Sequence, residues 1–531
     1  MPDSAVESHG SDLESWRIPA AAHGAAVILI LGVTCASLHF FYTQGLSNLY
    51  GDGLAHMEGA RRIFDSITPG YEEIGSVWLP LYHLICAPLA ANDFLWRTGL
   101  AGGLVSSAAF AVICYLLFRL GAEINCNLAA GLAALAGAML CPSFLYLAST
   151  PLTEPLALLW SVLVAYALFR YSQSGSWRSL AGASAAALMG TLTRYEGWNV
   201  LPFATLLVFL IYPYPWRRRF IRASFFAAVS GAGPLWWLIH NAYRYKNPLE
   251  FYNGLNSAKD IYAHQLATTA FPYPTDGSLL LSTRYYLEDL KLVIGVWALE
   301  LAILGLVAWC ASLRESRRGA VAVLLIVPLP FYIEAMAYAA IPLYVPTLFP
   351  HTYYNLRYGM EMIAAVALFP SFVLSPRLGK KLRWALLIIF LALLGRQFAA
   401  LTAGGARELP VVKESILNTP CRAKRQRAII EFLREHYDGK RVLVASGKWP
   451  CVMPEAGIYF RNTLSNLNRK YWAKMQTEPE KWVEWIIRGE GDAVDSLMQA
   501  YPQAFGDFEV IDQGAFQGEG SFKIYRLRRR R

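Results

Sequence analysis

The run Ala20–Tyr42, with the sequence AAAHGAAVILILGVTCASLHFFY, decides the fold class of this 531-residue chain. It contains no Asp, Glu, Lys or Arg. A helix rises about 1.5 Å per residue, so a run of this length can cross the roughly 30 Å hydrocarbon core of a bilayer. The run is longer than the core of a signal peptide and has no basic start, so we interpret it as an uncleaved membrane anchor.

Apolar runs of the same kind recur along the chain. They lie at Gly99–Leu120, Leu128–Ala148, Leu152–Phe169, Leu180–Leu192, Val200–Tyr212, Ala223–Ile239, Leu292–Ser312, Ala320–Ala340, Met360–Leu374 and Trp384–Leu401. The composition agrees, because 55% of the residues are hydrophobic and only 16% are charged, whereas a soluble protein has about 25% charged residues. The sequence therefore predicts an all-α polytopic membrane bundle with about eleven transmembrane helices.

Two of these runs, Leu180–Leu192 and Val200–Tyr212, are short for a complete span. The segment that connects them, Arg194–Trp198, is polar at its start. Polar backbone at membrane depth is tolerated only where it lines a cavity. We therefore predict that this connector dips into the membrane beside a cavity.

The net charge of +10 is concentrated in the connectors between the apolar runs. Basic clusters lie at Arg217–Arg219 with Arg222, at Arg314 with Arg317 and Arg318, and at Arg377 with Lys380, Lys381 and Arg383. Clusters at helix ends indicate cytoplasmic loops, and their position argues against a nucleic-acid partner. The expected protein is a multi-pass protein of the inner or plasma membrane, with a cytoplasmic N-terminus and an external C-terminus.

This orientation divides the chain into three parts. Residues 1–19 form a cytoplasmic tail, and residues 20–401 form the transmembrane domain, with external loops at 43–98 and 240–291. Residues 402–531 form an extracytoplasmic soluble domain, which is predicted to be α/β because a helical pattern at Arg427–Tyr437 precedes β-like runs such as Arg441–Ser446. Cys421 and Cys451 lie in this domain, and the sequence leaves open whether they form a disulfide.

The first external loop contains the segment NLYGDGLAHMEGARRIFD, from Asn48 to Asp65. From Leu54 onward its pattern suits an amphipathic helix that lies on the membrane. Asp52 is expected at or near the N-terminus of this helix, where an N-cap is the simplest role for it. His56 follows Asp52 by one helical turn, and the two are at most a weak candidate for a metal site because two ligands leave such a site incomplete.

Acidic and basic residues recur on the same predicted membrane face. Glu154 begins a helix after an external turn, Arg194 and Glu196 lie in the next external turn, and Arg357 and Tyr358 precede a late helix. Ionisable groups at membrane depth are costly, so they are candidates for function.

These motifs together resemble the polytopic C-type glycosyltransferases, which include protein O-mannosyltransferases and lipid A aminoarabinose transferases. The resemblance covers roughly residues 20–400. It rests on the aspartate that opens the first external loop, the Ala60–Arg61 pair, the Thr-Glu-Pro turn at 153–155 and the Arg-Tyr pair at 357–358. Many relatives have a second acid after the first aspartate, whereas this chain has Gly53.

The resemblance implies that a sugar, a hexose or a pentose, passes from a polyprenyl-phosphate-linked donor to a lipid, glycan or protein acceptor outside the cytoplasm, with inversion. Asp52 would then be the catalytic base. Arg357 and Arg194, followed by Arg61 and Arg62, would bind the donor phosphate, because guanidinium groups match phosphate geometry. Glu154, Glu196 and Tyr358 would support them or bind sugar hydroxyls.

Two alternatives stay open from the sequence. A transporter or lipid flippase would account for the many spans and for the acids Glu300 and Glu334 within them, although no matched halves are visible. An enzyme that uses lipid-pyrophosphate oligosaccharides would usually need a cluster of metal-binding acids. No cofactor is predicted, and the need for a divalent metal is left open.

Overall fold

The structure is a computed structural model that describes residues 16–269, 271–314 and 316–528. Most of the predicted cytoplasmic tail, residues 1–15, lies outside the described residues. The chain forms two compact units. The first comprises residues up to Gly45, Ser76–Leu81 and Leu104–Glu414, and the second comprises Leu46–Gly75, Tyr82–Gly103 and Ser415–Arg531.

The first unit is helical. Its α-helices are Ala20–Thr43, Leu100–Ile124 (from Leu104 onward), Leu128–Met139, Pro142–Leu147, Glu154–Ser174, Trp177–Thr191, Glu196–Ile211, Trp216–Tyr245, Glu250–Asn253, Ala258–Thr269, Leu279–Val293, Val296–Ser312, Pro328–Tyr338, Ile363–Leu368 and Lys380–Thr402, and the 3-10 segments are Arg317–Ile326, Leu356–Met362, Phe369–Leu374 and Ala406–Glu408. Pro410–Asn418 begins in this unit and ends in the second. The predicted helical bundle is thus observed.

Six helices of the described chain are long and apolar enough to cross a membrane, and a bent pair brings the number to seven. They are Ala20–Thr43, Leu100–Ile124, Glu154–Ser174, Arg317–Tyr338, Leu356–Leu374 and Lys380–Thr402. The two short runs form helices of 15 and 16 residues, Trp177–Thr191 and Glu196–Ile211. The chain has the helices of an integral membrane protein, and the count of eleven spans stays a prediction.

The predicted run Leu292–Ser312 is broken. Helices Leu279–Val293 and Val296–Ser312 meet at an angle of 114°. Gly295 at the break has a φ of 99°, which favours glycine. The side chain of Gln397 satisfies backbone groups there: its Nε2 donates to the Ile294 carbonyl at 2.7 Å, and its Oε1 accepts the Ala298 N–H at 3.2 Å. One orphan carbonyl and one orphan N–H at the break are therefore paired by a side chain of the same unit.

The second unit combines the predicted first loop with the C-terminal region. Its α-helices are Gly51–Arg62, Leu81–Ala90 (from Tyr82), Asp93–Arg97, Lys424–His436, Val452–Glu455, Arg469–Trp472 and Ala493–Ala500, and its 3-10 turns are Tyr71–Glu73, Pro420–Arg422, Phe460–Asn462, Ala473–Gln476, Pro479–Lys481 and Pro502–Phe505. The strands are β1 (Val442–Val444), β2 (Thr463–Leu464), β3 (Trp485–Gly489), β4 (Phe508–Phe516) and β5 (Gly520–Leu527).

These strands form one five-stranded sheet in the order β2-β1-β3-β5-β4. β2, β1 and β3 are parallel, with Leu443 opposite both Leu464 and Ile486, and the β3–β5 and β5–β4 pairs are antiparallel. One face covers a core that includes Leu443, Ile486 and Val494. Cys421 and Cys451 form a disulfide in this unit. The small C-terminal α/β sheet predicted from the sequence is therefore observed.

Candidate functional site

A cluster of acids and arginines in the first unit begins at two helix N-termini. Glu154 and Glu196 are the first residues of their helices, where the helix dipole stabilises a negative charge. Pro155 follows Glu154 in the first turn, a position that tolerates proline because its missing N–H would be unpaired anyway. Both carboxyl groups are buried, so the burial of two charges requires a cation nearby.

Arg194 supplies that cation from the turn between helices Trp177–Thr191 and Glu196–Ile211. Its Nη1 lies 3.1 Å from Glu154 Oε1, and its Nε donates to Glu196 Oε1 at 2.8 Å. Nη1 also donates to the Thr153 hydroxyl at 2.7 Å. The convergence of Glu154, Arg194 and Glu196 that the topology predicted is present.

Arg357 joins the same cluster from the start of the segment Leu356–Met362. Its Nε lies 2.9 Å from Glu154 Oε1, so Glu154 connects two arginines. Its Nη2 donates to Asn355 Oδ1 at 3.2 Å. The guanidinium lies 5.4 Å from the ring centre of Tyr358, and that of Arg194 lies 5.8 Å from the same ring. Both contacts are within the range of cation–π interactions.

Three further residues of the cluster escaped the sequence analysis. Glu361 lies 3.8 Å from Arg194 Nε, and Tyr332 hydrogen-bonds to both Arg194 and Glu196. Tyr286 stacks on Tyr332, which stacks on Tyr358. The four-residue spacing from Arg357 was a signal for Glu361, because such residues share a helix face. The two tyrosines gave no signal.

Glu414 fixes the backbone that carries Arg357. Its carboxylate accepts the N–H groups of Asn355 at 2.6 Å and Leu356 at 3.0 Å, and it is buried. Such bonds satisfy the donors at the start of a helical segment. Asn355 itself has a φ of 59°, a left-handed conformation that asparagine tolerates well. The backbone that leads into Arg357 is therefore held in place by Glu414.

The charges of this arginine–glutamate cluster decide what it can do. Glu154, Glu196 and Glu361 surround Arg194, whereas Glu154 is shared between Arg194 and Arg357. Arg194 is thus the structural centre of the cluster, and Arg357 stands at its edge. A planar guanidinium that an acid holds in place is suited to bind an anionic oxygen.

Asp52 belongs to the second unit, where it is the second residue of helix Gly51–Arg62. The N-cap of this helix is Tyr50, and no side chain caps it. The simple N-cap role expected for Asp52 is therefore wrong: Asp52 lies two positions after the N-cap, in the first turn of the helix, and it is partly exposed.

Arg61 and Arg62 lie at the end of the same helix, in ion pairs within the second unit. Arg61 pairs with Asp65 and Asp93, each at 2.8 Å, and donates to the Ala90 and Ala91 carbonyls. Arg62 binds Glu73 through Nε at 2.8 Å and Nη2 at 2.5 Å. Both guanidinium groups are buried and engaged by carboxylates. A donor phosphate would have to compete with these acids.

His56 contacts His83 in the second unit. The Nδ1 atom of His56 lies 2.9 Å from Nε2 of His83, so one ring donates and the other accepts. Burial, and next the neighbouring His56, lower the pKa of His83 to about 3. In the described part of the chain, no three His, Cys, Asp or Glu residues are grouped so as to hold a metal ion.

Known structures share this fold. No protein-family model and no curated protein matches the chain. A crystal structure of ArnT from Cupriavidus metallidurans bound to undecaprenyl phosphate matches with a TM-score of 0.56 and 12% identity, over 94% of this chain and 97% of that chain. The apo structure of the same protein matches with a TM-score of 0.56 and 12% identity, over 95% and 98%.

These matches define the class of the fold. ArnT is a lipid A aminoarabinose transferase, one of the groups whose resemblance the motifs indicated. This chain therefore shares the fold of ArnT over almost the whole length of both chains, as the resemblance implied.

Proposed function

We propose that this chain is a membrane glycosyltransferase that uses a polyprenyl-phosphate-linked sugar, a hexose or a pentose, and transfers it with inversion to a lipid, glycan or protein acceptor. The observation that carries this proposal is the shared fold with ArnT over 94% of this chain and 97% of its neighbour, together with the undecaprenyl phosphate bound in that neighbour. The reaction is proposed to take place on the extracytoplasmic side.

Arg357 is the proposed phosphate ligand. Its guanidinium is buried and oriented by Glu154 and Asn355, and Glu414 fixes the backbone on which it stands. As the sugar leaves the donor, charge accumulates on the phosphate oxygens, and a preorganised guanidinium stabilises that charge. Tyr358, which lies beside both arginines, is proposed to cover the site.

The other charged residues have supporting roles in this proposal. Arg194, Glu154 and Glu196 hold the geometry of the cluster, because Arg194 contacts both acids. Arg61 and Arg62 are proposed to stabilise the second unit through their acid partners, which a donor phosphate would have to displace.

Asp52 is the proposed general base. In the reaction the acceptor oxygen forms a bond to the anomeric carbon while the bond from that carbon to the phosphate oxygen breaks. The acceptor proton passes to a carboxylate, and the polyprenyl phosphate leaves with the electron pair. An inverting displacement needs one such base, so the glycine at position 53 is compatible with it.

A donor comparison tests the reaction. Purified protein would first be reconstituted into membranes that contain endogenous acceptors. It would then be incubated with a polyprenyl-phosphate sugar and, separately, with the corresponding nucleotide sugar. We expect turnover with the lipid-linked donor alone. Turnover with the nucleotide sugar alone, or lipid translocation without transfer, would overturn the proposal.

Variants of Arg357 test the phosphate site. Arg357→Lys keeps the charge but loses the two-pronged donor geometry, and Arg357→Ala loses both. We expect transfer to fall about tenfold or more in the first and further in the second, since charge-assisted hydrogen bonds contribute about 1.5–3 kcal/mol. The exposed Arg218→Ala is the matched control and should retain activity. Full activity in Arg357→Ala would refute the assignment.

A further inference from the structure

The disulfide between Cys421 and Cys451 lies beside the helix that carries Asp52. Both cysteines and the helix Gly51–Arg62 belong to the second unit. Cys451 is completely buried, whereas Cys421 is partly exposed. The bond joins positions 30 residues apart, so it constrains how two separate segments of the chain lie against that helix.

The first turn of this helix is weak in itself. Gly51 and Gly53 flank Asp52 there. Glycine is unfavourable within a helix because it loses more conformational freedom on folding than any other residue. The direction of the Asp52 carboxylate therefore depends on what packs against this turn.

Pro420, the residue before Cys421, packs against the start of the helix. A Cβ atom placed on Gly51 would lie 3.7 Å from Cδ and 3.9 Å from Cγ of the Pro420 ring, which is ordinary van der Waals contact. The proline ring therefore covers the first turn at Gly51.

The segment around Cys451 lies beside the buried face of the same helix. Leu54 and Met57 are buried, and they line one narrow gap together with Pro450 and Pro454. The two cysteines thus belong to two segments that meet the helix at different points, and the disulfide joins these segments.

Two noncovalent contacts between these segments are weaker than the disulfide. Arg427, in the helix that follows Cys421, binds Glu455 at 2.6 Å, but the pair is partly exposed, and such ion pairs contribute little. The Cys451 N–H donates to Gln426 Oε1 at a long distance of 3.4 Å. The covalent bond is stronger than either contact, and it lies next to Pro420.

We propose that the Cys421–Cys451 disulfide is a clamp that positions Asp52. It holds Pro420 and the segment around Cys451 against helix Gly51–Arg62, and so keeps the Asp52 carboxylate directed for removal of the acceptor proton. The inference rests on the proposed role of Asp52 as the general base. It concerns the chemical step and not donor binding, because the proposed phosphate ligand, Arg357, belongs to the first unit.

Hydrogen exchange tests the clamp without reference to activity. Cys421→Ala/Cys451→Ala removes the disulfide and leaves no free thiol at either position, and Pro420→Ala keeps the disulfide but removes the ring. Purified full-length proteins would be compared by mass spectrometry at the amides of residues 54–57, the first of which donates to the Tyr50 carbonyl at 3.1 Å. We expect faster exchange there in both variants, and a larger change in the double variant.

Transfer kinetics test the consequence for Asp52. In the double variant we expect kcat to fall about tenfold, since a misplacement of about 1 Å can cost a hundredfold, while the KM for the lipid-linked donor stays the same. Asp495→Asn is the matched control, because it weakens the 2.6 Å ion pair with Arg488 in the same unit and leaves the clamp intact. It should lower the melting temperature and change neither kcat nor the exchange of residues 54–57.

Native exchange at residues 54–57 in both clamp variants, or an equal change in Asp495→Asn, would overturn the inference. A native kcat in the double variant, or a loss confined to KM, would overturn it as well and leave the transferase intact. Absence of transfer by the native protein would refute the proposed function and with it the catalytic purpose of the clamp, whereas the exchange data would still show whether the disulfide holds the helix.

Discussion

At the scale of single residues, Glu154 connects the two arginines of the first unit. Its Oε1 lies 3.1 Å from Arg194 and 2.9 Å from Arg357. A buried charge that loses its partner costs more than the pair contributes, about 3–5 kcal/mol. The bridging acid is therefore the residue on which the geometry of the cluster depends most.

Glu154→Gln should therefore lower the stability of the protein. The amide keeps the shape and one acceptor but leaves Arg357 with less compensating charge. We expect a loss of about 3 kcal/mol, visible as a lower melting temperature in detergent. Glu300→Gln, at an exposed position, should melt like the native protein. Equal melting of the two variants would contradict the bridging role.

Asp52→Asn tests the base at the same scale. The amide is nearly isosteric, and the helix N-cap is Tyr50, so folding should survive. Loss of a general base typically costs about a hundredfold or more in rate. Transfer by membranes that contain equal amounts of each protein would be compared, with Asp512→Asn as control. Native activity in Asp52→Asn would remove this residue from catalysis.

At the scale of elements, the sequence predicted helices well and their interruptions poorly. The predicted run Ala20–Tyr42 corresponds to helix Ala20–Thr43. The bounds of this helix were predictable because they coincide with the ends of one uninterrupted apolar run. The break at Gly295 was not predicted, because the side chain that stabilises it, Gln397, lies about a hundred residues away. Neither β2 nor β3 was predicted, and β2, with two residues, is too short to carry a periodic pattern.

The candidate site shows the same limit. Glu154, Arg194, Glu196 and Arg357 were predicted from topology, since helix ends on one membrane face meet there. Tyr332 was not predicted, because the sequence of an apolar run does not show whether an aromatic residue faces lipid or a charged cluster. Contact, and not composition, distinguishes the two cases.

The helix pair Gly51–Arg62 and Leu81–Ala90 gives a prediction about pH. The pKa of His83 falls from 6.5 to about 3 because the ring is buried beside His56. The unfolded chain therefore binds a proton below pH 6.5 that the folded chain does not. The stabilisation is complete above pH 6.5 and is lost progressively as the pH falls toward 3.

Unfolding midpoints measured from pH 7.5 to pH 4.5 test this. Below pH 6.5 we expect about 1.4 kcal/mol of stability to be lost per pH unit through this one group. His83→Gln should flatten that dependence, whereas the exposed His436→Gln should keep it. A native slope in His83→Gln would contradict the assignment.

At the scale of the whole molecule, topology links the fold to the proposed reaction. The arginine clusters at 217–219, 314–318 and 377–383 predict cytoplasmic loops, and we therefore propose an external C-terminus. The disulfide between Cys421 and Cys451 supports the same side independently, because disulfides persist in oxidising compartments outside the cytoplasm.

Single cysteines can test this orientation in intact cells. Ser316 lies in an arginine-rich connector and is exposed, and Gln517 is exposed at the turn between β4 and β5. Gln517 is a better position than Gly514, where a side chain would meet the Phe522 ring at 2.6 Å. The six free cysteines would be replaced beforehand, with the disulfide retained.

An impermeant maleimide added from outside should then label Gln517→Cys and leave Ser316→Cys unlabelled until the membrane is permeabilised. The reason is physical: we expect the basic connector to stay on the side where it was synthesised and the second unit to be exported and oxidised. Labelling of Ser316→Cys in intact cells would invert the orientation. It would also move the proposed lipid-phosphate site to the cytoplasmic face, where nucleotide sugars are available, so the donor comparison and the labelling experiment must agree for the transferase proposal to stand.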